Sequence, residues 1–268
     1  MPSSQAMDDD PPQLMPEPPK GEEAEQRLVA DLGLVVRPNP KYFPTNLLDL
    51  YQTYEYRHAA AILAHEFPSE FDEICHALLA FRFTNLQVRM PGGNESEIPK
   101  TISDQLRPRG WVESKLRAEQ VVDKKTVSID THKIDYVKGK VAFDLEWNAK
   151  DQTFDRDLAA FRAFFDYGRI SVGVLVTRDV SLVPYFVSLG KPLNKAGVET
   201  EGRVVDKYGH EGGSTTHMNK LLPRMSAGRS GGCPVLAFGI TPKLRSPRHG
   251  YRPPRLWAVP GGLGETAT

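Results

Sequence analysis

Apolar residues recur at two spacings along the chain, and these spacings predict helices and strands. A spacing of three and four positions runs through Pro68 to Ala80 and through Asp155 to Tyr167, and Gly168 ends the second of these helices. Alternation of apolar and polar residues at Phe81 to Met90 predicts a strand. The near-continuous apolar run from Ile170 to Val176 is typical of a central strand that is covered on both faces.

Weaker patterns predict the remaining elements. The Ala-rich stretch within residues 51–65 favours a helix, whereas residues 111–122 fit a strand or a helix equally well. The other predicted segments are short helices at 22–32, 98–106 and 182–189, a long loop at 194–213, a short helix or loop at 215–225, and a strand at 235–240.

Residues 126–148 predict a β-hairpin, in which Lys138-Gly139-Lys140 forms the turn between two alternating segments. The hairpin is followed by the helix at 155–167 and then by the covered strand at 170–176. This order places a helix across a sheet that has both parallel and antiparallel strands. The predicted fold class is therefore α/β, with a mixed central β-sheet flanked by helices.

Acidic residues share one face of the second strand of this hairpin. Side chains alternate along a strand, so the residues on this face are Ala142, Asp144, Glu146 and Asn148. The turn brings Asp135 across from them. Neighbouring like charges destabilise a sheet and raise carboxyl pKa values, and a bound divalent cation removes this cost. Carboxylate oxygens in this number suit Mg²⁺.

The same pattern has a structural interpretation as well. The acids could lie on the exposed polar face of an edge hairpin and pair with Lys133, Lys138 and Lys140. The spacing alone favours neither interpretation. The covered strand at 170–176 favours a hairpin that lies inside the sheet.

Composition limits the class of protein. The chain has 268 residues, of which 40% are hydrophobic, enough for a real core. We expect a disordered Pro-rich acidic leader at 1–21, a single domain at 22–242, and a mobile basic tail rich in Pro, Arg and Gly at 243–268. Two cysteines exclude a disulfide framework and a Cys-based zinc site. Without a long apolar run or a secretory signal pattern, we expect a cytoplasmic protein that does not contact membranes.

The charge is distributed unevenly although the formal net charge is zero. Residues 1–31 contain eight acidic and two basic residues, whereas residues 203–268 contain ten basic and three acidic residues. A basic C-terminal region suits a polyanionic partner. A solvated basic tail explains the charge equally well.

The acids of the hairpin also carry a resemblance. An acid near the end of one strand, followed on the next strand by a triplet of an acid, any residue and a basic or polar residue, resembles the PD-(D/E)xK nuclease core, and here Glu146 occupies the last position of the triplet. The longer string from Thr131 to Asp151, with Phe154-Asp155-Arg156-Asp157-Leu158 after it, resembles the BglII/BstYI type II restriction endonucleases. The similarity extends from about residue 54 to residue 240. It includes Pro91-Gly92-Gly93-Asn94-Glu95-Ser96, Gly110-Trp111 and Ser214-Thr215-Thr216-His217-Met218.

The resemblance implies a restriction-endonuclease-like core and a homodimer that cuts palindromic double-stranded DNA with Mg²⁺, leaving 5′-phosphate ends. Asp135 and Asp144 would bind the metal, together with the backbone carbonyl of Leu145. Glu146 would orient or deprotonate the attacking water. The general base stays open, because Glu lacks the positive charge of the Lys in the commoner motif, and a shifted register, Glu146-x-Asn148, is an alternative. A cognate DNA methyltransferase is implied as a partner in the same system.

The predicted DNA contacts follow the catalytic strand. Asn148 can bond adenine, and Lys150 can reach guanine acceptors, a phosphate or Asp151. A later Gly-flanked stretch offers hydroxyls, a ring and a cation, and its candidate DNA-binding residues are Ser214, Thr215, Thr216, His217 and Lys220. The resembled enzymes recognise sites with a GATC core, which we expect here.

Two other functions stay open at this point. One is an inactive relative that binds DNA without cutting it, which the Glu at position 146 keeps under consideration. The other is a repair nuclease of the same core without sequence specificity. Glu113 is a candidate auxiliary acid, although an ordinary surface Glu explains it better.

Overall fold

The strands form one large sheet and one small hairpin. The computed structural model describes residues 34–92, 96–209 and 214–246. The strands in these residues are β1 (Val35–Val36), β2 (Tyr51–Tyr56), β3 (Val112–Ser114), β4 (Arg117–Val122), β5 (Lys125–Asp130), β6 (Ile134–Lys138), β7 (Val141–Glu146), β8 (Val172–Arg178) and β9 (Val235–Ile240). The large sheet has seven strands in the order β1-β2-β9-β8-β7-β6-β3, and β4 pairs with β5 in the small hairpin.

Helices connect most of these strands. The α-helices of the described residues are α1 (Leu47–Leu50), α2 (Ala59–Glu66), α3 (Pro68–Ala80), α4 (Asn85–Arg89), α5 (Glu97–Leu106), α6 (Thr153–Asp166), α7 (Leu182–Ser188), α8 (Val204–Tyr208) and α9 (Met218–Ser226). Single 3₁₀ turns lie at Pro40–Tyr42, Arg107–Arg109 and Pro242–Leu244.

The strand β7 lies inside the large sheet. It is antiparallel to β6 on one side and parallel to β8 on the other, and β8 is in turn parallel to β9. Parallel neighbours need a crossover connection, which α6 supplies between β7 and β8. This topology confirms the predicted mixed α/β sheet and places the acidic hairpin away from the edge of the sheet.

Alternation along β7 divides its side chains between two cores. Val141, Phe143 and Leu145 belong to the core that also contains the buried residues of α2, α3 and α5. Ala142 belongs to the opposite core, with the buried residues of α6 and α9. Asp144 therefore lies on the side covered by α6 and α9, at the carboxyl end of the strand.

Several elements agree closely with the sequence prediction. The helix at 68–80 has the predicted bounds, and α5 begins one residue earlier than predicted. The helix α6 ends before Gly168, whose φ of 65° is in the left-handed region. All residues of β8 are buried, as predicted for a central strand. The segment 182–189 is helical and 235–240 is a strand.

One prediction for the N-terminal half is confirmed and one is wrong. The Ala-rich stretch within residues 51–65 is helical and forms α2, whereas β2 occupies the first part of that segment, and Arg57 and His58 take left-handed φ values of 57° and 56° between the two. Residues 81–90 are not a strand. Thr84 and Gln87 form a capping box that begins α4, which sets a helical rather than a strand conformation.

Other segments are subdivided more finely than predicted. The predicted strand at 126–137 is divided between β5 and β6, which belong to different sheets. Residues 111–122 contain the two strands β3 and β4, and the predicted loop at 194–213 contains α8. The segment 215–225 is helical from Met218 onward.

The predicted leader at 1–21 and the predicted helix at 22–32 lie outside the described residues, as does the predicted tail from residue 247 onward. Before that point Leu244 is buried and Arg245 forms a bridge with Phe83, so residues that the sequence assigned to the tail pack on the domain. No helix in the described part of the chain has the length and apolar character needed to cross a membrane.

Candidate active site

The β6–β7 hairpin brings Asp135 next to Asp144. Tyr136 pairs with Phe143 in the antiparallel register of β6 and β7. Asp135 and Asp144, the next residues on the two strands, therefore lie opposite each other. The backbone N–H of Asp135 donates to Oδ1 of Asp144 at 2.7 Å. The structure therefore places the first two predicted metal ligands side by side, on the face of the sheet that α6 covers.

Crowding of negative charge is the main electrostatic property of this site. Asp144 is 2% exposed, and burial, followed by the carboxylates of Asp157 and Asp135, raises its pKa well above the usual value. Burial and Asp135 raise the pKa of Glu146 to about 7, against the opposing effect of Arg156. Burial, followed by Glu113, also raises the pKa of Asp135. A divalent cation among these groups would offset this repulsion.

Asp157 is an acid of this site that the sequence analysis did not assign. It lies on α6, is 2% exposed, and has a pKa raised to about 8 by burial and by Glu146. The signal was present in the sequence as one acid inside the apolar stripe of a helix, with Phe154, Leu158 and Phe161 around it. Its closeness to β7 depends on how the helix packs, which no local pattern gives.

The donor atoms of this site fit a hard divalent cation. Among the described residues, Oδ2 of Asp144 and Oδ2 of Asp157 are buried without a hydrogen-bond partner. No three His, Cys, Asp or Glu side chains in those residues are grouped so as to hold a metal by themselves. Mg²⁺ does not need such a cage, because it commonly binds one or two carboxylates and completes its shell with water and substrate phosphate oxygens.

A cleft of about 720 Å³ leads to these carboxylates. Asp135 and Glu146 line it, while Leu145 and Asn148 of the same strand end are on its wall. Its other lining residues are Gln87, Pro91, Gly92, Ser96, Ile98, Pro99, His132, Trp147, Ala149, Lys207 and Tyr208. The site is thus open to a large substrate at the end of β7, while Asp144 lies behind the cleft surface.

The lysines of the hairpin have partners other than the site acids. Lys133 pairs with Glu113 at 2.6 Å, and Lys138 pairs with Glu73 at 2.6 Å. Lys140 donates to the carbonyl of Gly168. The alternative interpretation of the hairpin, an edge face whose acids pair with these lysines, does not describe the structure. Glu113 forms an ordinary surface ion pair with Lys133, although its negative charge also raises the pKa of Asp135.

Comparison with protein families supplies the deciding observation. Residues 51–240 match the model of the family described as restriction endonuclease BglII/BglIII. The chain belongs to this family. The match spans β2 to β9 and includes the acidic hairpin, the cleft and α6. A search of curated proteins found no match. The mixed sheet flanked by helices is a restriction-endonuclease-like fold, and the family is one of type II site-specific DNA endonucleases.

In this endonuclease the two predicted DNA-binding segments lie together. Lys150 and Thr215 form an antiparallel bridge, and the backbone N–H of Asp151 donates to the carbonyl of Ser214 at 2.8 Å. The N–H of Thr216 donates to the carbonyl of Ala149 at 2.9 Å. The chain leaving β7 is therefore paired directly with the segment that precedes α9.

The exposed candidates in these segments are Lys150 and Ser214. Asn148 is half-buried and donates from Nδ2 to the carbonyl of Lys207 at 3.4 Å, whereas the hydroxyl of Thr215 donates to the carbonyl of Tyr208. Lys220 is half-buried on α9. Among these candidates Asn148 lines the cleft, and DNA would have to compete with the hydrogen bonds of Asn148 and Thr215.

Two predicted DNA contacts are buried instead. Thr216 is 0% exposed, and its hydroxyl accepts from the N–H of Ala149 and donates to the carbonyl of Glu146. His217 is 6% exposed, and burial, followed by Arg178 and Lys220, lowers its pKa to about 4. The hydrogen bonds of Thr216 tie the segment to the end of β7, and both side chains face the interior rather than the solvent.

Arg178 was missed by the sequence analysis. It ends β8, is 3% exposed, and donates to the carbonyl of Tyr208 at 2.9 Å and to the carbonyl of Thr216 at 2.8 Å. One guanidinium thus ties together two segments that flank the cleft. A single Arg at a strand end carries no pattern that would identify it in the sequence.

Proposed function

We propose that this endonuclease hydrolyses both strands of palindromic duplex DNA with Mg²⁺, leaving 5′-phosphate ends. The observation that carries the proposal is the pairing of Asp135 with Asp144 beside Glu146, at the end of a cleft. The family match supplies the substrate class, and the crowded carboxylates supply the reason for a divalent cation. Sequence specificity requires further contacts, which the paired segments after β7 provide.

Asp135 and Asp144 are the proposed side-chain ligands of Mg²⁺, with the backbone carbonyl of Leu145 between Asp144 and Glu146. Bound Mg²⁺ would lower the pKa of a water molecule and offset negative charge on the phosphate. Glu146 lines the cleft and is the proposed acceptor that orients the attacking water or takes its proton. The register Asp144-x-Glu146 is favoured over Glu146-x-Asn148, because Asp144 is the acid that contacts Asp135 directly.

The proposed DNA contacts are Asn148, Lys150, Ser214, Thr215 and Lys220. Lys150 and Ser214 are exposed next to the catalytic strand, so they can reach base edges or phosphates without rearrangement. A site with a GATC core is our proposal for the sequence that they recognise. We leave Thr216 and His217 out of this set because they are buried.

A palindromic site is matched by a protein with two-fold symmetry, so we propose a homodimer, which would have twice the chain mass of 29.9 kDa in solution. We also propose that the enzyme acts in the cytoplasm beside a DNA methyltransferase that modifies the same sequence. These partners follow from the type of enzyme and not from a particular surface of this chain.

Digestion of a plasmid of known sequence tests the proposed function. We expect discrete fragments with Mg²⁺ and none with EDTA, and sequencing of the cut ends gives the site. Asp144→Asn and Asp135→Asn should each lower the cleavage rate by roughly 100-fold or more while DNA binding is retained, because loss of a carboxylate removes a metal ligand and weakens no DNA contact.

The matched control is Asp166→Asn, since Asp166 lies at the far end of α6 and pairs with Arg162 at 3.5 Å. It should cut as the unchanged enzyme does. A smear of products would indicate a nuclease without sequence specificity, and binding without cutting would indicate an inactive relative. Undiminished cutting by the Asp144 and Asp135 variants would reject the proposed site.

A further inference from the structure

Asp157 is a buried acid with a carboxylate oxygen that accepts no hydrogen bond from the described residues. It is 2% exposed, and its Oδ2 atom has no hydrogen-bond partner among the described residues. Removing a carboxylate from water is costly unless hydrogen bonds or an opposite charge compensate for it. Either a neighbouring group or a bound ion must therefore compensate for the cost of burying the Asp157 carboxylate.

The position of Asp157 on α6 does not support a capping role. The acidic residue of the first helical turn is Asp155, which binds Arg224 at 3.0 Å. Asp157 lies beyond this turn, where its carboxylate cannot satisfy the free N–H groups at the start of the helix. Its neighbour Arg156 donates to the hydroxyl of Thr153 at 3.0 Å, and its positive charge offsets only part of the effect by which burial raises the pKa of Asp157.

The packing of α6 directs Asp157 toward the catalytic strand. Asp157 shares a helical face with Phe154, Leu158 and Phe161, which are all buried. These three belong to the same core as Ala142 of β7. Asp144 follows Ala142 on the same face of that strand, and it too has an unpartnered buried oxygen. Two such carboxylates thus approach one another from the helix and from the sheet.

We propose that Asp157 is part of the metal-binding group of this endonuclease, as an outer carboxylate whose charge draws a divalent cation to Asp144. This inference rests on the proposed function, because it requires a cation at the hairpin acids. Asp157 is a positioning residue here, since it acts on the metal site from behind and does not line the cleft. Outer groups of this kind tune metal affinity strongly even where they do not touch the ion.

The test is a thermal melt of the full-length protein during a titration with Mn²⁺, in the absence of DNA. Binding to the folded state raises the melting temperature by mass action, so the titration gives an apparent dissociation constant without any measurement of activity. We expect Asp157→Asn to raise this constant roughly 10- to 100-fold. Its melting temperature without metal should equal or exceed that of the unchanged protein, because the amide relieves the crowding of buried carboxylates.

Two further variants make the outcome specific. Asp166→Asn removes the same charge from the same helix at an exposed ion pair and should leave the apparent constant unchanged. Asp144→Asn should abolish the Mn²⁺-dependent rise in melting temperature. If Asp144→Asn responds to Mn²⁺ as the unchanged protein does, the proposed active site itself is wrong.

If Asp144→Asn loses the response while Asp157→Asn keeps the original constant, the active site stands and the role of Asp157 is rejected. A marked loss of metal-free stability or a failure to fold in Asp157→Asn would also reject it, since Asp157 would then be needed for the fold and not for the ion.

Discussion

At the scale of single residues, Asp144 is the point where the strand pairing and the electrostatics of the site meet. One of its oxygens accepts the N–H of Asp135, and the other is buried without a partner among the described residues. A carboxylate in this position is costly to ionise by itself. Protons and the proposed divalent cation would therefore compete for the same group of acids.

This competition predicts a pH-dependent requirement for Mg²⁺. The pKa of Glu146 is raised to about 7 and that of Asp157 to about 8, so without metal these acids hold protons at a pH where ordinary carboxylates have lost them. Since Mg²⁺ binds the deprotonated form, the Mg²⁺ concentration for half-maximal cleavage should fall as the pH rises from about 6 to about 8. Initial cleavage rates over a grid of pH and Mg²⁺ at constant ionic strength measure this.

Glu146→Gln serves as the comparison for this prediction. The variant has no titratable side chain at position 146. The rise in its melting temperature with Mg²⁺ should therefore depend less on pH than that of the unchanged protein. A half-saturating Mg²⁺ concentration that stays constant across this range would contradict the electrostatic description of the site.

The sequence predicted the arrangement of the proposed catalytic residues to the extent that it depends on local alternation. Asp144 and Glu146 share a face because every second residue of a strand does, and Asp135 meets Asp144 because a short turn fixes the register. Asp157 was missed because its role depends on how a helix packs. Thr216 and His217 were assigned to DNA because polar loop residues are usually exposed, whereas the pairing of their segment with residues 149–151 buries them.

At the scale of elements, the contact between α6 and β8 determines where the site acids of the helix lie. Gly173 of β8 has no side chain, and a Cβ built at this residue would lie 2.4 Å from the ring of Phe161. The absent side chain lets the helix approach the sheet closely. This approach holds Asp157 near the carboxyl end of β7.

Gly173→Ala should therefore destabilise the protein by about 1–3 kcal/mol, because the new methyl group overlaps the Phe161 ring. Chemical unfolding measures the free energy change. In a Phe161→Leu background the added cost should fall below about 1 kcal/mol, since the smaller side chain leaves room. The control is Gly92→Ala, whose Cβ would meet the flexible Lys207 side chain, at 3.5 Å, and no other side chain among the described residues. Equal effects of both Gly substitutions would show that this packing is not specific.

Elements were predicted correctly where a start signal and a periodic stripe agree. The helix at 68–80 begins with Pro at its first position and continues with apolar residues at helical spacing. The prediction for 81–90 was wrong because alternation was weighed above Thr84 and Gln87, although a Thr-x-x-Gln pair is itself a local helix signal. The helix in the Ala-rich part of 51–65 was predicted, but β2, the strand rich in Tyr and Thr that precedes it, was not.

At the scale of the whole molecule, the sheet separates two layers of helices and carries the candidate site acids at the carboxyl end of β7. The strands β7, β8 and β9 are parallel and end on the same side, where the cleft and the segment 214–216 meet. Helices α2, α3 and α5 cover one face, and α6 and α9 cover the other. The order hairpin, helix, covered strand predicted this core, but the pairing of β2 with β9 is non-local and left no pattern in the sequence.

The central claim is that a divalent cation binds at the carboxylates of the β6–β7 hairpin. The most direct measurement is an anomalous difference map from crystals of the endonuclease grown with duplex DNA and soaked in Mn²⁺. We expect a peak about 2.1 Å from a carboxylate oxygen of Asp135 and from one of Asp144, with Asp157 behind it. A peak elsewhere in the protein, or none at these two carboxylates while DNA occupies the cleft, would contradict the claim.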